Sequence, residues 1–121
     1  RHTRYGTVTG VQTCALPIWF KEWSSWMDAN LPDADRGDVN YGYGYNVAKL
    51  LTIVLEGCKD MTRKGIMGCA ANIKDVELPM LLPGIKVNTS PTDFYPIQAE
   101  QLSKFDGAKW VLFGNIIDAS K

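Results

Sequence analysis

The dipeptide Asp106-Gly107 constrains this chain most, because it lies between two segments that can both form strands. Asp-Gly readily adopts the positive φ angles of a two-residue type I′ turn, whose twist matches that of paired antiparallel strands. The first segment is IQAEQLSKF, Ile97 to Phe105, and the second is AKWVLFGNII, Ala108 to Ile117. The sequence therefore predicts a β-hairpin at this turn, and we expect it to pair with little else in the chain.

Four prolines divide the preceding segment into short extended pieces, because proline lacks an amide donor and keeps its predecessor out of the α region. They lie in LPMLLPGIKVNTSPTDFYPIQ, which is followed by FDGAKWVLFG. Together these stretches resemble the carboxyl-terminal end of leucine-binding-protein-like proteins, the solute-binding components of bacterial ABC importers for branched-chain amino acids. The resemblance implies the type I periplasmic-binding-protein fold, an α/β fold with two lobes around a hinge and a ligand cleft between them.

The first eighteen residues are predicted to have a different origin. The stretch VTGVQTCALPI is the translation of a common sequencing-library adapter, and the initial RHTR matches the same adapter further upstream. We therefore interpret residues 1–18 as a non-native, adapter-derived segment. Residues 19–121 are interpreted as the carboxyl-terminal part of a two-lobed solute-binding protein. The alternative is a genuine strand, since this stretch also contains β-branched residues.

Residues 19–121 are enough for one small domain but too few for two lobes. Without Arg1 and Arg4, 11 basic residues face 13 acidic residues, which gives a formal charge of −2. This balance provides no electrostatic reason to expect nucleic acid or an anionic membrane as a partner. No apolar run approaches the roughly 20 residues that a membrane-spanning helix needs.

Apolar periodicity predicts three helices before the hairpin, around residues 19–31, 43–56 and 62–72. The first has a stripe of Trp and Met at three- and four-residue spacing, and we expect this stripe to pack on a sheet. The second has a wide apolar face between Val47 and Leu55, and it should end at Gly57 in the left-handed conformation. The third should be short, with Thr62 as its N-cap.

A polar loop, PDADRGDVN, precedes the second helix. Its carboxylates, Asp33, Asp35 and Asp38, resemble a calcium-binding loop only superficially. Gly37 is one place early for the EF-hand pattern, and no glutamate closes the twelve-residue frame. A solvated surface loop is therefore the better interpretation.

The family resemblance implies that Asn40 and Tyr41 are ligand-binding residues. In that family the loop before the corresponding helix faces the cleft between the lobes. A phenol ring can close over an apolar ligand side chain, and an amide can donate or accept a hydrogen bond. The alternative is that Tyr41, Tyr43 and Tyr45 only pack the start of the helix.

The cysteines do not indicate a reactive site, and residues 19–121 contain no catalytic motif. Cys58 and Cys69 lack metal-site spacing; they can pair in an oxidising compartment, but buried free thiols are the favoured interpretation. Residues 19–121 contain no histidine, no GxSxG and no phosphate-binding loop. The sequence therefore predicts no enzyme activity, no catalytic residue, no metal and no cofactor.

The function expected from the resemblance is capture of a small solute for import. The ligand would be a branched-chain amino acid or a related small amide or carboxylate. The intact protein would be periplasmic and would deliver this solute to an ABC permease. The alternative is a ligand-sensing regulatory or receptor domain of the same fold. The sequence leaves the identity of the solute open.

Overall fold

A computed structural model describes residues 18–120 and contains three helices followed by four short strands. In chain order these elements are α1 (Ile18–Asn30), α2 (Val39–Gly57), α3 (Arg63–Ala70), β1 (Ala99–Glu100), β2 (Ser103–Phe105), β3 (Trp110–Leu112) and β4 (Ile117–Asp118). The mixed α/β content and all three predicted helices are confirmed. The predicted adapter segment lies outside the described residues except for Ile18, which is the first residue of α1.

Helix α1 contributes the most deeply buried apolar side chains of the amino-terminal half. Trp23 is 4% exposed and Met27 is fully buried. Trp26 also belongs to the predicted stripe, and its ring contacts the ring of Tyr45 in α2 with centroids 5.8 Å apart. The expectation that the stripe packs on a sheet is wrong for this ring, because it packs on a neighbouring helix.

Helix α2 begins four residues earlier than predicted because Asp38 is its N-cap. The Asp38 carboxylate accepts a hydrogen bond from the backbone amide of Asn40 at 2.9 Å, which satisfies one of the free donors of the first turn. The helix ends at Gly57 as predicted. However, the left-handed conformation predicted there is wrong, since Cys58 follows in an extended conformation and Gly57 has no positive φ.

The loop between α1 and α2 folds back onto α1. The guanidinium of Arg36 forms an ion pair with Asp28 and also donates to the backbone carbonyl of Ser24 at 3.3 Å. The Asp35 carboxylate accepts a hydrogen bond from the amide of Gly37 at 2.8 Å. Asp35 therefore stabilises a turn of this loop, and Asp38 caps the helix that follows it.

A disulfide joins the end of α2 to α3. Cys58 and Cys69 are bonded, with their Cα atoms 5.9 Å apart. The favoured interpretation of two free thiols is therefore wrong. Thr62 caps α3 by accepting a hydrogen bond from the Gly65 amide at 3.2 Å, as predicted, and the short connection to α2 brings the two cysteines within bonding range.

The segment that contains LPMLLPG is fixed to α2 by a buried amide. Asn46 is only 8% exposed, and its Oδ1 accepts a hydrogen bond from the backbone amide of Met80 at 2.9 Å. One turn earlier, a Cβ atom at Gly42 would lie 3.2 Å from the Met80 methyl group. Glycine at this position therefore lets the segment lie directly on the helix.

The end of α3 is joined to the extended segment by Thr89. Its hydroxyl donates to the carbonyl of Ala70 at 2.7 Å and accepts from the amide of Ile73 at 3.0 Å. Val76 and Val87 then form an antiparallel bridge, in which Val87 is 1% exposed. The core of the described chain thus lies between α1, α2 and this extended segment rather than at the hairpin.

The predicted hairpin is present, but its turn is shifted by one residue. The amide of Asp106 donates to the carbonyl of Lys109 at 3.0 Å, so the central residues are Gly107 and Ala108. Among these, only Gly107 has a positive φ, of +103°. A type I′ turn needs a positive φ at both central residues, whereas a type II′ turn needs it only at the first. The prediction of a type I′ turn is therefore wrong. Both arms are found where they were predicted.

The hairpin contains two short ladders with an offset between them. At the turn, Ser103 pairs with Leu112 and Phe105 with Trp110. At the base, β1 and β4 pair antiparallel with each other. Four residues, 113–116, on the return arm oppose two residues, 101–102, on the first arm. Among the described strands, these four pair only within the hairpin, as expected.

Two of the five residues that define the predicted apolar face of α2 are not covered. Val54 is buried and Leu50 and Leu55 are half-buried, in agreement with the prediction. Val47 and Leu51, however, are 48% and 52% exposed. The face is wider than the described chain can cover.

Removing the disulfide is expected to destabilise the fold by about 2–3 kcal/mol, because the link joins two residues that are 11 positions apart and so closes a loop. Urea unfolding with and without reductant measures this difference in a Cys14→Ser background, which removes the third thiol. The Cys58→Ser/Cys69→Ser variant should match the reduced protein and should not respond to reductant. Equal unfolding midpoints for the oxidised and reduced protein would contradict the expectation.

Asn46→Ala is expected to lower the free energy of unfolding by about 1–3 kcal/mol, because it leaves the Met80 amide without its acceptor. Asn30→Ala is the matched control. Asn30 also lies in a helix and donates to the carbonyl of Trp26 at 2.8 Å, but it is exposed. Its loss should therefore cost roughly 0.5 kcal/mol or less. Similar losses in the two variants would show that the buried amide has no special role.

The hairpin turn is expected to weaken in acid. The Asp106 carboxylate accepts hydrogen bonds from the amides of Lys109 and Ala108, each at 2.9 Å, and these bonds lower the pKa of Asp106 below 3.8. Because the folded pKa is depressed, the contribution to stability is present above the unfolded pKa and is lost as pH falls through the folded pKa. NMR titration of the two amides should give a midpoint below 3.8, and Asp106→Asn should remove the step. A midpoint at or above 3.8 would contradict this.

Candidate functional site

The structure places Asn40 and Tyr41 in the first turn of α2, not in the loop before it. Their predicted loop position is therefore wrong, and the reason is the cap formed by Asp38. Asn40 is exposed, and its side-chain amide donates to the Asp38 carboxylate at 2.8 Å. This bond orients the side chain and leaves its carbonyl oxygen as the group that can accept a further hydrogen bond. Tyr41 is half-buried.

Both residues line an open groove between the end of α1 and the first half of α2. The groove has a volume of about 420 Å³. Its other aromatic residues are Trp26 and Tyr45, whose rings are tilted by 55° relative to each other. Tyr41 and Tyr45 are one helical turn apart and therefore share one side of α2. The structure thus brings together the two predicted site residues and adds two that the sequence did not assign to a site.

The groove combines apolar rings with a few polar groups. Asn40 lies at one end, and Lys49 and Thr52 lie towards the other. Lys49 is one turn after Tyr45, and no carboxylate lines the groove among the described residues. Aromatic walls with a small number of polar groups are typical of sites for small organic molecules. The groove can therefore contact one side of a small solute with an apolar body.

Tyr43 is on a different side of α2 and is 71% exposed. It lines a second depression of about 290 Å³, next to Trp23, Gly42 and Met80. The indole Nε1 of Trp23 is buried and has no hydrogen-bond partner among the described residues. Because this atom is not accessible from the depression, it offers no donor to a solute there. The alternative interpretation, in which the tyrosines only pack the start of the helix, fits Tyr43 poorly because the side chain of Tyr43 is mostly exposed.

A third depression, of about 170 Å³, lies at the base of the hairpin and contains several polar side chains. Its polar groups are largely bonded to one another. Lys86 forms an ion pair with Asp75 at 3.8 Å, and the Asp75 amide donates to the side chain of Asn88 at 2.8 Å. Asp75 has a φ of +52°, a conformation that aspartate tolerates.

The described residues provide no metal centre and no membrane span. Within residues 18–120, no group of three or more His, Cys, Asp or Glu side chains is placed to hold a metal ion. No helix in this part of the chain is both long enough and apolar enough to cross a bilayer.

Comparison of the chain with protein-family models, with curated proteins and with solved structures finds no match.

The sequence contains a signal for some of the groove residues that were not predicted to belong to the site. Tyr41, Tyr45 and Lys49 recur every four residues, which places them along one line of a helix. That spacing was obscured because the helix was predicted to begin around residue 43. The contribution of Trp26 depends on how α1 turns into α2, and the sequence gives no direct signal for that.

Proposed function

We propose that residues 19–121 are the carboxyl-terminal part of the periplasmic solute-binding component of an ABC importer, with the type I periplasmic-binding-protein fold. The solute would be a branched-chain amino acid or a related small amide or carboxylate, bound by Asn40 and Tyr41. The observation that carries the proposal is the hydrogen bond between Asn46 and Met80. It joins the LPMLLPG segment, which carries the family resemblance, to the helix that bears both site residues.

The disulfide supports the extracytoplasmic location. Disulfides persist in oxidising compartments such as the periplasm and are rare in the reducing cytosol. Cys58 and Cys69 are bonded in this fold, and Cys58 is buried.

The uncovered apolar surfaces support the proposal that this chain is part of a larger fold. Val47 and Leu51 are exposed on α2, and most apolar side chains of the hairpin are exposed. In a two-lobed protein such surfaces would pack on the sheet and helices of the preceding lobe. The groove at Tyr41 would then form one wall of the ligand cleft, and closure of the other lobe would complete it.

The isolated 121-residue chain is expected to show no saturable binding of leucine, isoleucine, phenylalanine or small amides at micromolar concentrations. The reason is that an open groove buries too little of a small solute, whereas productive sites bury most of its surface. Titration calorimetry of the purified chain measures this. Micromolar affinity would contradict the proposal that a second lobe is needed.

In the longer protein that contains residues 19–121 after its natural upstream sequence, Tyr41→Ala is expected to weaken solute binding about tenfold, or ~1.4 kcal/mol. The loss of the ring removes apolar contact from one wall of the cleft. Tyr43→Ala is the matched control, because Tyr43 lies on another side of α2 and should leave affinity unchanged. Equal effects of the two variants in calorimetry would argue against Tyr41 as a ligand contact.

A further inference from the structure

The hairpin exposes apolar side chains on both of its faces. Phe105, Trp110 and Leu112 lie on one face, and their exposed fractions range from 36% to 51%. Val111 lies on the opposite face and is 42% exposed. An isolated two-stranded ribbon is marginally stable in water, and further strands or a packed layer are needed to stabilise it.

The hydrogen-bond pattern shows which backbone groups point outward. The amide of Phe113 donates to the carbonyl of Leu102, and the amide of Asp106 donates to the carbonyl of Lys109. Bonded pairs alternate along an antiparallel ladder, so Lys104 and Val111 form the bonded pair between them.

The amides and carbonyls of Trp110 and Leu112 therefore point away from the hairpin along the outer edge of β3. Those of Ser103 and Phe105 point outward along the edge of β2.

The two edges differ in charge. The return arm has no charged residue between Lys109 and Asp118, and it contains no proline. The edge of β2 instead carries Lys104 at its centre. Charged residues and proline are the usual means by which proteins prevent a strand edge from pairing with another chain. The β3 edge lacks both.

We propose that a second copy of this chain pairs with the first along the outer edge of β3. In an antiparallel arrangement centred on Val111, Trp110 of each copy lies opposite Leu112 of the other. The outward backbone groups of these residues then form two bonded pairs, and no like charges meet. The chain has a formal net charge of zero at pH 7, so long-range repulsion does not oppose the association.

The choice of a second copy follows from this self-complementarity. Pairing through the β2 edge about Lys104 would place two lysines directly opposite each other, which is destabilising. The arrangement through β3 is two-fold symmetric, so it closes after two copies. It concerns the chain on its own and does not depend on the proposed solute-binding function.

Analytical ultracentrifugation of the full 121-residue chain over a range of concentrations tests the proposal. The mass is expected to rise from the 13.5 kDa of one chain towards twice that value. Leu112→Pro removes an outward donor of β3 without removing a bond inside the hairpin, and it should raise the dissociation constant of the dimer about tenfold or more. Ser103→Pro is the matched control: Ser103 lies directly opposite Leu112 but on the β2 edge, so this variant should still form the dimer.

Hydrogen exchange provides a readout that does not depend on the variants. As concentration rises, the amides of Trp110 and Leu112 should become protected, while those of Ser103 and Phe105 should stay in fast exchange. Protection of the Phe113 amide in Leu112→Pro shows that the hairpin itself remains folded. A monomer at all concentrations, a dimer that Ser103→Pro removes as readily as Leu112→Pro, or protection confined to the β2 edge would overturn the proposal.

Discussion

The hydrogen bond from the Met80 amide to the Asn46 side chain organises the described fold. The two residues are 34 positions apart, and the acceptor is almost completely buried. An amide side chain in such a place is costly unless it is bonded, so the bond fixes one position of the segment on α2. Leu78, Ile85 and Val87, in the same segment and just after it, are also buried. The bond thus connects the helical half of the chain to the extended half that leads to the hairpin.

The local elements were largely predictable from the sequence, because their signals are local. Thr62 caps α3 as expected, and both arms of the hairpin lie in the two strand-forming segments that flank the Asp-Gly dipeptide. The start of α2 was not predicted, since Asp38 was interpreted as a loop carboxylate rather than as a cap. The position of the turn was missed by one residue because the bonds of the Asp106 carboxylate draw Lys109 into the closing pair. Both errors arise from aspartate side chains that bond to nearby amides.

Longer-range features were less accessible to sequence reasoning. The disulfide depends on the direction in which α3 leaves α2, and spacing alone does not determine that direction. For the candidate site, Asn40 and Tyr41 came from the resemblance, and the structure shows that they share a groove. Trp26 joins them from α1, and the loop between the two helices is held against α1 by the bonds of Arg36 to Asp28 and Ser24. A site formed by two helices is therefore only half visible in the pattern of either one.

The offset in the hairpin has a consequence for the chain's tendency to aggregate. Because residues 113–116 oppose only residues 101–102, regular pairing of the return arm is interrupted between its two ladders, and extra residues of this kind increase local twist. The regular part of the β3 edge is consequently limited to three residues. Amyloid-like stacking needs about six or seven residues in a flat, extended strand. The apolar run WVLFGNII has the composition for such stacking, but in the folded hairpin it does not form one continuous strand of that length. Aggregation through this run would therefore require the hairpin to unfold, and solvent exposure of the folded hairpin would not be enough.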